Sequence, residues 1–140
     1  MKKNEKGFTL IELLAVIVIL AIIALITTPI VLDLISNARL DAAKDKTYGV
    51  IDAVRLAYTQ NQVTDNPAVG DSNNIITVTF GSGAPKVGTT NVSISGEAPT
   101  GGTVEINTQS GTVVAKDLLF SGFTCNTTSG KAACTTRSGS

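Results

Sequence analysis

An unbroken apolar run near the N-terminus constrains this chain more than any other feature. Residues 13–26 contain no polar side chain, and the run continues across Thr27-Thr28-Pro29 to Leu32. At about 1.5 Å per residue, a helix over these positions is about 30 Å long, enough to cross the hydrocarbon core of a bilayer. Glu12 stands at the start of the run. An acidic residue costs roughly 2.5–3.5 kcal/mol at a bilayer centre and less near an end, so it suggests a purpose beyond anchoring.

The residues around the run decide between three interpretations of it. A cleavable secretory signal has an apolar core of about 7–15 residues and a small-x-small cleavage site, but this run is longer and no such site lies near residues 27–29. A plain membrane anchor fits the length but leaves Glu12 unexplained. Lys2, Lys3 and Lys6 precede the run, which predicts an N-terminus in the cytoplasm and the remainder of the chain outside the membrane.

The third interpretation comes from a resemblance. The stretch Gly7-Phe8-Thr9-Leu10-Ile11-Glu12-Leu13-Leu14, followed by the apolar run and Pro29, resembles the N-terminus of type IV prepilins and of the related pseudopilins. The resemblance covers the first third to two-fifths of the chain. It implies that residues 1–7 are a leader, that a prepilin peptidase cuts after Gly7, and that the new amine of Phe8 is N-methylated. Residues 8–32 are then the transmembrane and assembly helix.

Glu12 would be the fifth residue of the cleaved chain. It follows Phe8 by four positions, so both lie on one helix face, and its carboxylate lies in the first turn, near the positive end of the helix dipole. Glu12 can therefore pair with its own Phe8 amine or with that of a neighbouring subunit. The resemblance implies the second, an assembly role in which the pair sets the register between subunits. We expect Glu12→Val or Glu12→Ala to be inserted and cleaved but poorly incorporated.

Pro29 is the second assembly candidate. It lacks the N–H that would bond to the carbonyl of Leu25, and the neighbouring hydroxyls of Thr27 and Thr28 can bond back to carbonyls one turn earlier. The sequence therefore predicts a kink or a locally unwound stretch before Pro29. The alternative is a proline that a transmembrane helix simply tolerates. The resemblance implies that this zone stretches in an assembled filament.

Beyond the membrane, the pattern predicts an α+β fold. Apolar residues recur with a helical period over residues 33–60, which predicts an amphipathic helix continuing the first to about Gln60. Residues 61–140 are expected to form a β-rich extracellular domain, in which a period of two predicts about four short antiparallel strands and a terminal hairpin turning at Ser129-Gly130. The predicted strands lie around Ile76–Phe80, Val92–Ser95, Val104–Ile106 and Thr112–Phe120, separated by turns that include Pro99-Thr100-Gly101-Gly102. A long helix packed on a small antiparallel meander is a pilin-like layout.

Two cysteines, Cys125 and Cys134, lie within the predicted hairpin. Outside the cytoplasm such a pair favours a disulfide, and two free thiols are the alternative. A metal site is disfavoured, because two cysteines with no histidine in the chain make an incomplete ligand shell. Many type IV pilins carry a disulfide-bounded C-terminal loop at this place, so the resemblance also points to pairing.

Composition narrows the function classes. The chain has no histidine, and no nucleophile–base pair or metal cluster stands out, so an enzyme is the least favoured class and neither cofactor nor metal is expected. Without residues 1–7 the chain keeps eight basic and ten acidic side chains. This balance leaves no basic face for nucleic acid, which could bind only to a stripe built by a whole filament.

Three functions remain as hypotheses. The first is the precursor of a type IV pilus subunit that serves adhesion, motility or DNA uptake. Its partners would be copies of itself, minor pilins, the prepilin peptidase, and an assembly ATPase with its membrane platform. It would be held in the cytoplasmic membrane before assembly and in a surface filament afterwards. The second is a pseudopilin of a type II secretion or competence system. The third is a membrane-anchored extracellular binding module that never polymerises, and Glu12 argues against it.

Overall fold

A computed structural model of the chain describes residues 6–137. Residues 1–5 of the expected leader, including Lys2 and Lys3, lie outside the described residues. Among those described, the chain forms one helix and seven strands. The helix α1 spans Leu10–Asn61, and the strands are β1 (Ile75–Phe80), β2 (Lys86–Val87), β3 (Thr90–Asn91), β4 (Gly101–Asn107), β5 (Val113–Phe120), β6 (Phe123–Thr128) and β7 (Lys131–Thr136). The chain divides into two compact units between Ala38 and Arg39.

In the first unit, α1 exposes its apolar side chains on every side. The helix contains a window of mean hydropathy 3.1 of which no residue is buried within the chain. By length and composition alone, such a helix can cross a membrane. An apolar surface of this extent is unfavourable in water, since each Å² costs roughly 25 cal/mol.

In the second unit, α1 packs one face on the sheet. Its buried residues recur every three or four positions, so they form one stripe along the helix. They are Ala43, Thr47, Val50, Ile51, Val54, Ala57 and Asn61. The predicted apolar face is confirmed, and the helix ends within a residue of the predicted position.

Five strands form one antiparallel sheet in the order β1-β4-β5-β6-β7, and β2 and β3 form a separate small hairpin. In β1, the predicted alternation is confirmed: Ile76, Val78 and Phe80 are buried, while Thr77 and Thr79 are exposed. The buried sides of the strands and the stripe on α1 form a single hydrophobic core. The α+β layout predicted from the sequence, a long helix followed by a small antiparallel sheet, is confirmed.

The strand predicted at Val92–Ser95 is wrong. Val92 is buried and Ile94 is partly buried against the core, but no strand pairs with this segment. The Val92 N–H instead donates to the carbonyl of Pro85 at 2.9 Å, and the chain then bends at Gly96 with φ of 99°. The alternating pattern at these positions therefore reflects burial of apolar side chains without strand pairing.

The turn predicted at residues 99–102 is also partly wrong, because β4 begins at Gly101. Gly102, which follows, lies in a β-bulge. The register shifts between Gly101 and Thr103, and Asp117 on β5 adopts φ of 50°. Gly102 has φ of 98°, and a Cβ there would lie 2.3 Å from the carbonyl oxygen of Asp117. Glycine is therefore needed for the close approach of the two strands.

Strands β5 and β6 are paired only over Leu118–Phe120 and Phe123–Cys125. Beyond this short ladder, side chains of β6 accept hydrogen bonds from backbone N–H groups of β5 in place of backbone carbonyls. Asn126 Oδ1 accepts from the Asp117 N–H at 2.7 Å, and Thr127 Oγ1 accepts from the Ala115 N–H at 2.7 Å. The β6–β7 hairpin is therefore fixed to the sheet by its base and by two side chains.

The terminal hairpin is confirmed. Thr128 pairs with Lys131 across a two-residue turn in which Ser129 and Gly130 both have positive φ, at 52° and 77°. Positive φ at both central residues defines a type I′ turn, whose twist matches that of the strands.

Candidate functional site

The predicted processing site, Gly7-Phe8, lies just before the start of α1. Lys6 to Thr9 have no regular secondary structure, and the helix begins at Leu10. Phe8 is 87% exposed, and a Cβ built on Gly7 would meet no atom within 4 Å. The peptide bond between these two residues is therefore non-helical and sterically open within the described part of the chain.

Thr9 and Glu12 close the helix start with two reciprocal hydrogen bonds. The Thr9 N–H donates to Glu12 Oε2 at 2.9 Å, and the Glu12 N–H donates to Thr9 Oγ1 at 3.3 Å. This is a capping box, in which each side chain satisfies a backbone donor that the first helical turn leaves without a partner. Thr9 was not among the residues predicted from the sequence, although the Thr-x-x-Glu spacing before an apolar run is the signature of such a box.

The capping box gives Glu12 a hydrogen-bond partner within its own chain. In the uncleaved chain the Phe8 nitrogen is part of a peptide bond to Gly7 and carries no charge. The carboxylate of Glu12 is occupied by the Thr9 N–H instead. Its expected pairing with a Phe8 amine concerns the cleaved chain and stays a prediction.

At Pro29 the helix continues without a break, so a locally unwound stretch is not found, and a kink before Pro29 stays a prediction. The two preceding hydroxyls bond as predicted: Thr27 Oγ1 donates to the Ile23 carbonyl at 2.9 Å, and Thr28 Oγ1 donates to the Ala24 carbonyl at 2.5 Å. These bonds add a second donor to carbonyls of the turn before the proline, where the backbone ladder lacks one N–H. The helical conformation is therefore retained at a position where it is intrinsically weakened.

Cys125 and Cys134 are directly opposite each other on β6 and β7, and their sulfurs lie 2.01 Å apart, at disulfide distance. Both side chains are buried beneath the second half of α1. Thr47 Oγ1 lies 3.9 Å from Cys134 Sγ, and the Ala43 carbonyl oxygen lies 3.8 Å from Cys125 Sγ. The pair therefore ties the base of the terminal hairpin at the point where it meets the helix.

One charged contact joins the loop after β3 to α1. Lys46 Nζ donates to Glu97 Oε2, and Glu97 Oε1 accepts from the Ser121 N–H at 3.0 Å. These two hydrogen bonds, the one from Lys46 first, lower the pKa of Glu97 below its usual value. The pair is solvent-exposed, so its electrostatic contribution is modest.

The candidate site consists of residues at and after the start of α1. Within residues 6–137, no group of three or more His, Cys, Asp and Glu side chains is placed to hold a metal ion. The features of the site are a sterically open Gly7-Phe8 bond, a capped helix start and an exposed apolar helix.

Comparison with known proteins identifies a motif in the N-terminal segment. Residues 2–28 match the family model described as the prokaryotic N-terminal methylation motif, which is the type IV prepilin signature. No curated protein and no solved structure matches the chain. The motif indicates a type IV pilin or pseudopilin, which suggests a structural subunit held by its apolar helix as a membrane-anchored precursor.

Proposed function

We propose that the chain is the precursor of a type IV pilus subunit. It is cleaved after Gly7 by a prepilin peptidase, N-methylated on Phe8, and polymerised through its N-terminal helix into a surface filament for adhesion, motility or DNA uptake. The observation that carries the proposal is the methylation-motif match over residues 2–28. It is supported by a fold with one long helix and a small antiparallel sheet.

The exposed apolar helix fits a subunit that is first held in the membrane and later packed in a filament. Leu13, Ile17, Leu20 and most of their neighbours keep about half or more of their surface exposed. In the precursor, lipid would cover this surface, with the N-terminus in the cytoplasm. In the filament, the helices of neighbouring copies would replace the lipid. Helix–helix packing among copies is therefore the force that drives assembly in this proposal.

Glu12 supplies the selectivity of that packing. Once the leader is removed, each chain carries a positive amine on Phe8 and a carboxylate on Glu12. An unpaired charge in apolar surroundings is strongly unfavourable, so registers that pair carboxylate and amine between copies are favoured over those that leave either group alone. The Glu12–Phe8 pair would thus set the axial register of the incoming subunit.

Pro29 would allow the helix to extend when the filament is pulled. Its missing N–H leaves one carbonyl of the helix ladder without its backbone donor. The hydroxyls of Thr27 and Thr28 bond to carbonyls of the preceding turn, and such back-bonding softens a helix further. Extension of the helix under load would begin at this turn, because it has one backbone bond fewer to break.

The proposed partners follow from this sequence of steps. They are the prepilin peptidase, an assembly ATPase with its membrane platform, and copies of the chain itself, with minor pilins as further candidates. The precursor resides in the cytoplasmic membrane and the assembled form is extracellular. The role is structural and needs neither cofactor nor metal.

Mass spectrometry of the mature protein tests the proposal. Material sheared from the cell surface is expected to begin at Phe8 and to be one methyl group heavier than the unmodified peptide. A product that still begins at Met1, or one cut after Thr28, would contradict the proposal and favour a non-polymerising membrane-anchored module.

Electron microscopy of the same fraction separates the two filament classes. A pilus subunit is expected in long surface filaments at native expression. A pseudopilin of a secretion or competence system would be processed in the same way, but such filaments would be absent. The disulfide-distance pair Cys125–Cys134 lies in the C-terminal region, where many type IV pilins carry a disulfide-bounded loop, and it favours the pilus.

A further inference from the structure

The start of α1 is fixed at a definite residue close to the proposed cleavage site. Thr9 occupies the N-cap position, Leu10 is the first helical residue, and the Gly7-Phe8 bond lies one residue before the cap. Thr9 Oγ1 accepts the Glu12 N–H, and the Glu12 carboxylate accepts the Thr9 N–H. Both bonds exist only if the helix begins where it does, because a helical Thr9 would direct its hydroxyl elsewhere.

Without the cap, this helix would have a reason to start further upstream. The first four N–H groups of any helix lack partners within the helix. At the edge of an apolar segment, such donors are costly if they lie in the hydrocarbon and harmless if they lie in water. Extending the helix through Phe8 and Gly7 moves the free donors towards the aqueous side, so loss of the cap favours extension.

We propose that Thr9 is a positioning residue for leader removal. Its hydroxyl ends the helix at Leu10 and thereby keeps the Gly7-Phe8 peptide bond non-helical and accessible to the peptidase. The inference rests on the proposed cleavage after Gly7. Thr9 does not touch the scissile bond through its side chain; it acts through the conformation of the two residues before it.

The chemistry of the step explains why conformation matters. A water molecule adds across the bond, the C–N bond between Gly7 and Phe8 breaks, Gly7 keeps a carboxylate, and Phe8 keeps the amine, which takes up a proton. A protease must reach the carbonyl carbon of Gly7 from above the peptide plane. In a helix, that carbonyl is hydrogen-bonded to an N–H four residues later and is shielded by the adjacent turns.

Three variants of the full chain separate the hydroxyl from other properties of the site. Thr9→Val keeps the β-branched shape but removes the acceptor. Thr9→Ser keeps the acceptor and alters the shape. Glu12→Ala removes the carboxylate but retains the backbone N–H that Thr9 accepts. Each precursor is expressed in membranes with a prepilin peptidase, and leader removal is followed by pulse-chase. The backbone conformation of residues 7–9 is measured by NMR carbon shifts of the labelled full chain in detergent micelles.

Thr9→Val is expected to be cleaved up to about fivefold more slowly than wild type, because losing an N-cap worth about 1 kcal/mol changes the ratio of the two helix starts by about that factor. Its Phe8 carbon shifts are expected to move towards helical values. Thr9→Ser is expected to be cleaved at close to the wild-type rate. Glu12→Ala, which loses one of the two bonds of the cap, is expected to be cleaved at a rate between those of Thr9→Val and wild type.

Three results would overturn the inference: wild-type cleavage of Thr9→Val, equal slowing in Thr9→Ser, or slowing of Thr9→Val with no helical shift at Phe8. A wild-type chain that keeps its leader would instead contradict the proposed function, so the two failures are distinguishable.

Discussion

The side chain of Thr127 replaces a backbone partner in the sheet, and its removal gives a sharp test of the structure. Thr127 is 6% exposed, and its Oγ1 accepts the N–H of Ala115 at 2.7 Å. Ala115 is fully buried. Thr127→Val preserves the shape of the side chain but leaves the Ala115 N–H without an acceptor.

The size of the effect follows from two opposing contributions. A buried donor that loses its partner costs about 1–3 kcal/mol. Replacing a hydroxyl by a methyl group at a buried site returns about 0.8 kcal/mol. With a mid-range cost of about 2 kcal/mol, we expect a net loss of about 1 kcal/mol in the free energy of unfolding. For a unit the size of Arg39–Ser140, that loss lowers Tm by about 5 °C.

The matched control is the next residue on the same strand. Thr128→Val makes the same chemical change at an exposed position at the end of β6, where substitutions usually stay within about 0.5 kcal/mol. Thermal unfolding of the full chain in a non-ionic detergent, followed by fluorescence of Tyr48 and Tyr58, measures both variants. Equal melting temperatures for the two variants would refute the assignment of Thr127 as a backbone partner.

Three further predictions concern the assembly residue, the cysteine pair and the exposed charge pair. Glu12→Ala is expected to be inserted and cleaved but poorly incorporated into sheared filaments; recovery equal to wild type by immunoblot would disprove the register role. The double variant Cys125→Ala and Cys134→Ala is expected to lose roughly 2–3 kcal/mol of unfolding free energy in urea, because a disulfide closing so short a loop restricts the unfolded chain by about that much. The lowered pKa of Glu97 means that its contribution to stability is complete above the pKa of the unfolded chain and is lost as pH falls through the lower pKa of the folded chain. Glu97→Gln should therefore flatten the acid limb of the Tm–pH curve, and a curve parallel to wild type would argue against its contacts with Lys46.

The sequence predicted elements whose signals are local and repeated. The helical period around Val50 and Val54 identified the buried stripe of α1, because a helix packed on one side needs apolar residues every three to four positions. The alternation from Ile76 to Phe80 identified β1 for the equivalent reason. The turn at Ser129-Gly130 followed from residue types that accept positive φ.

The errors lie where pairing between distant segments decides the outcome. The alternation at Val92 and Ile94 predicted a strand, yet it results from burial alone. No local signal in the sequence separates a paired strand from an unpaired segment whose apolar side chains are buried. The bulge that requires Gly102 depends on where β5 crosses β4, and that register is not a property of either strand by itself. The role of Thr127 depends in the same way on the short pairing of β5 with β6.

The capping box was missed for a different reason, since its signature is local. The cost of an acid in an apolar run and a partner in another subunit were enough to explain Glu12. Thr9, three residues away, supplies a partner in the same chain. A residue with a strong functional explanation can thus also have a structural one.

If the leader is removed as proposed, the two explanations of Glu12 apply to successive states of one chain. Before cleavage the carboxylate accepts the neutral Thr9 N–H at 2.9 Å, which satisfies it without any other subunit. Cleavage creates an ammonium group on Phe8, one residue before that donor, and a charged donor binds a carboxylate about twice as strongly as a neutral one. Leader removal would therefore offer Glu12 a stronger partner only when the chain is ready to assemble. A precursor that retains its leader keeps its carboxylate satisfied and has no amine to present, which disfavours its entry into a filament.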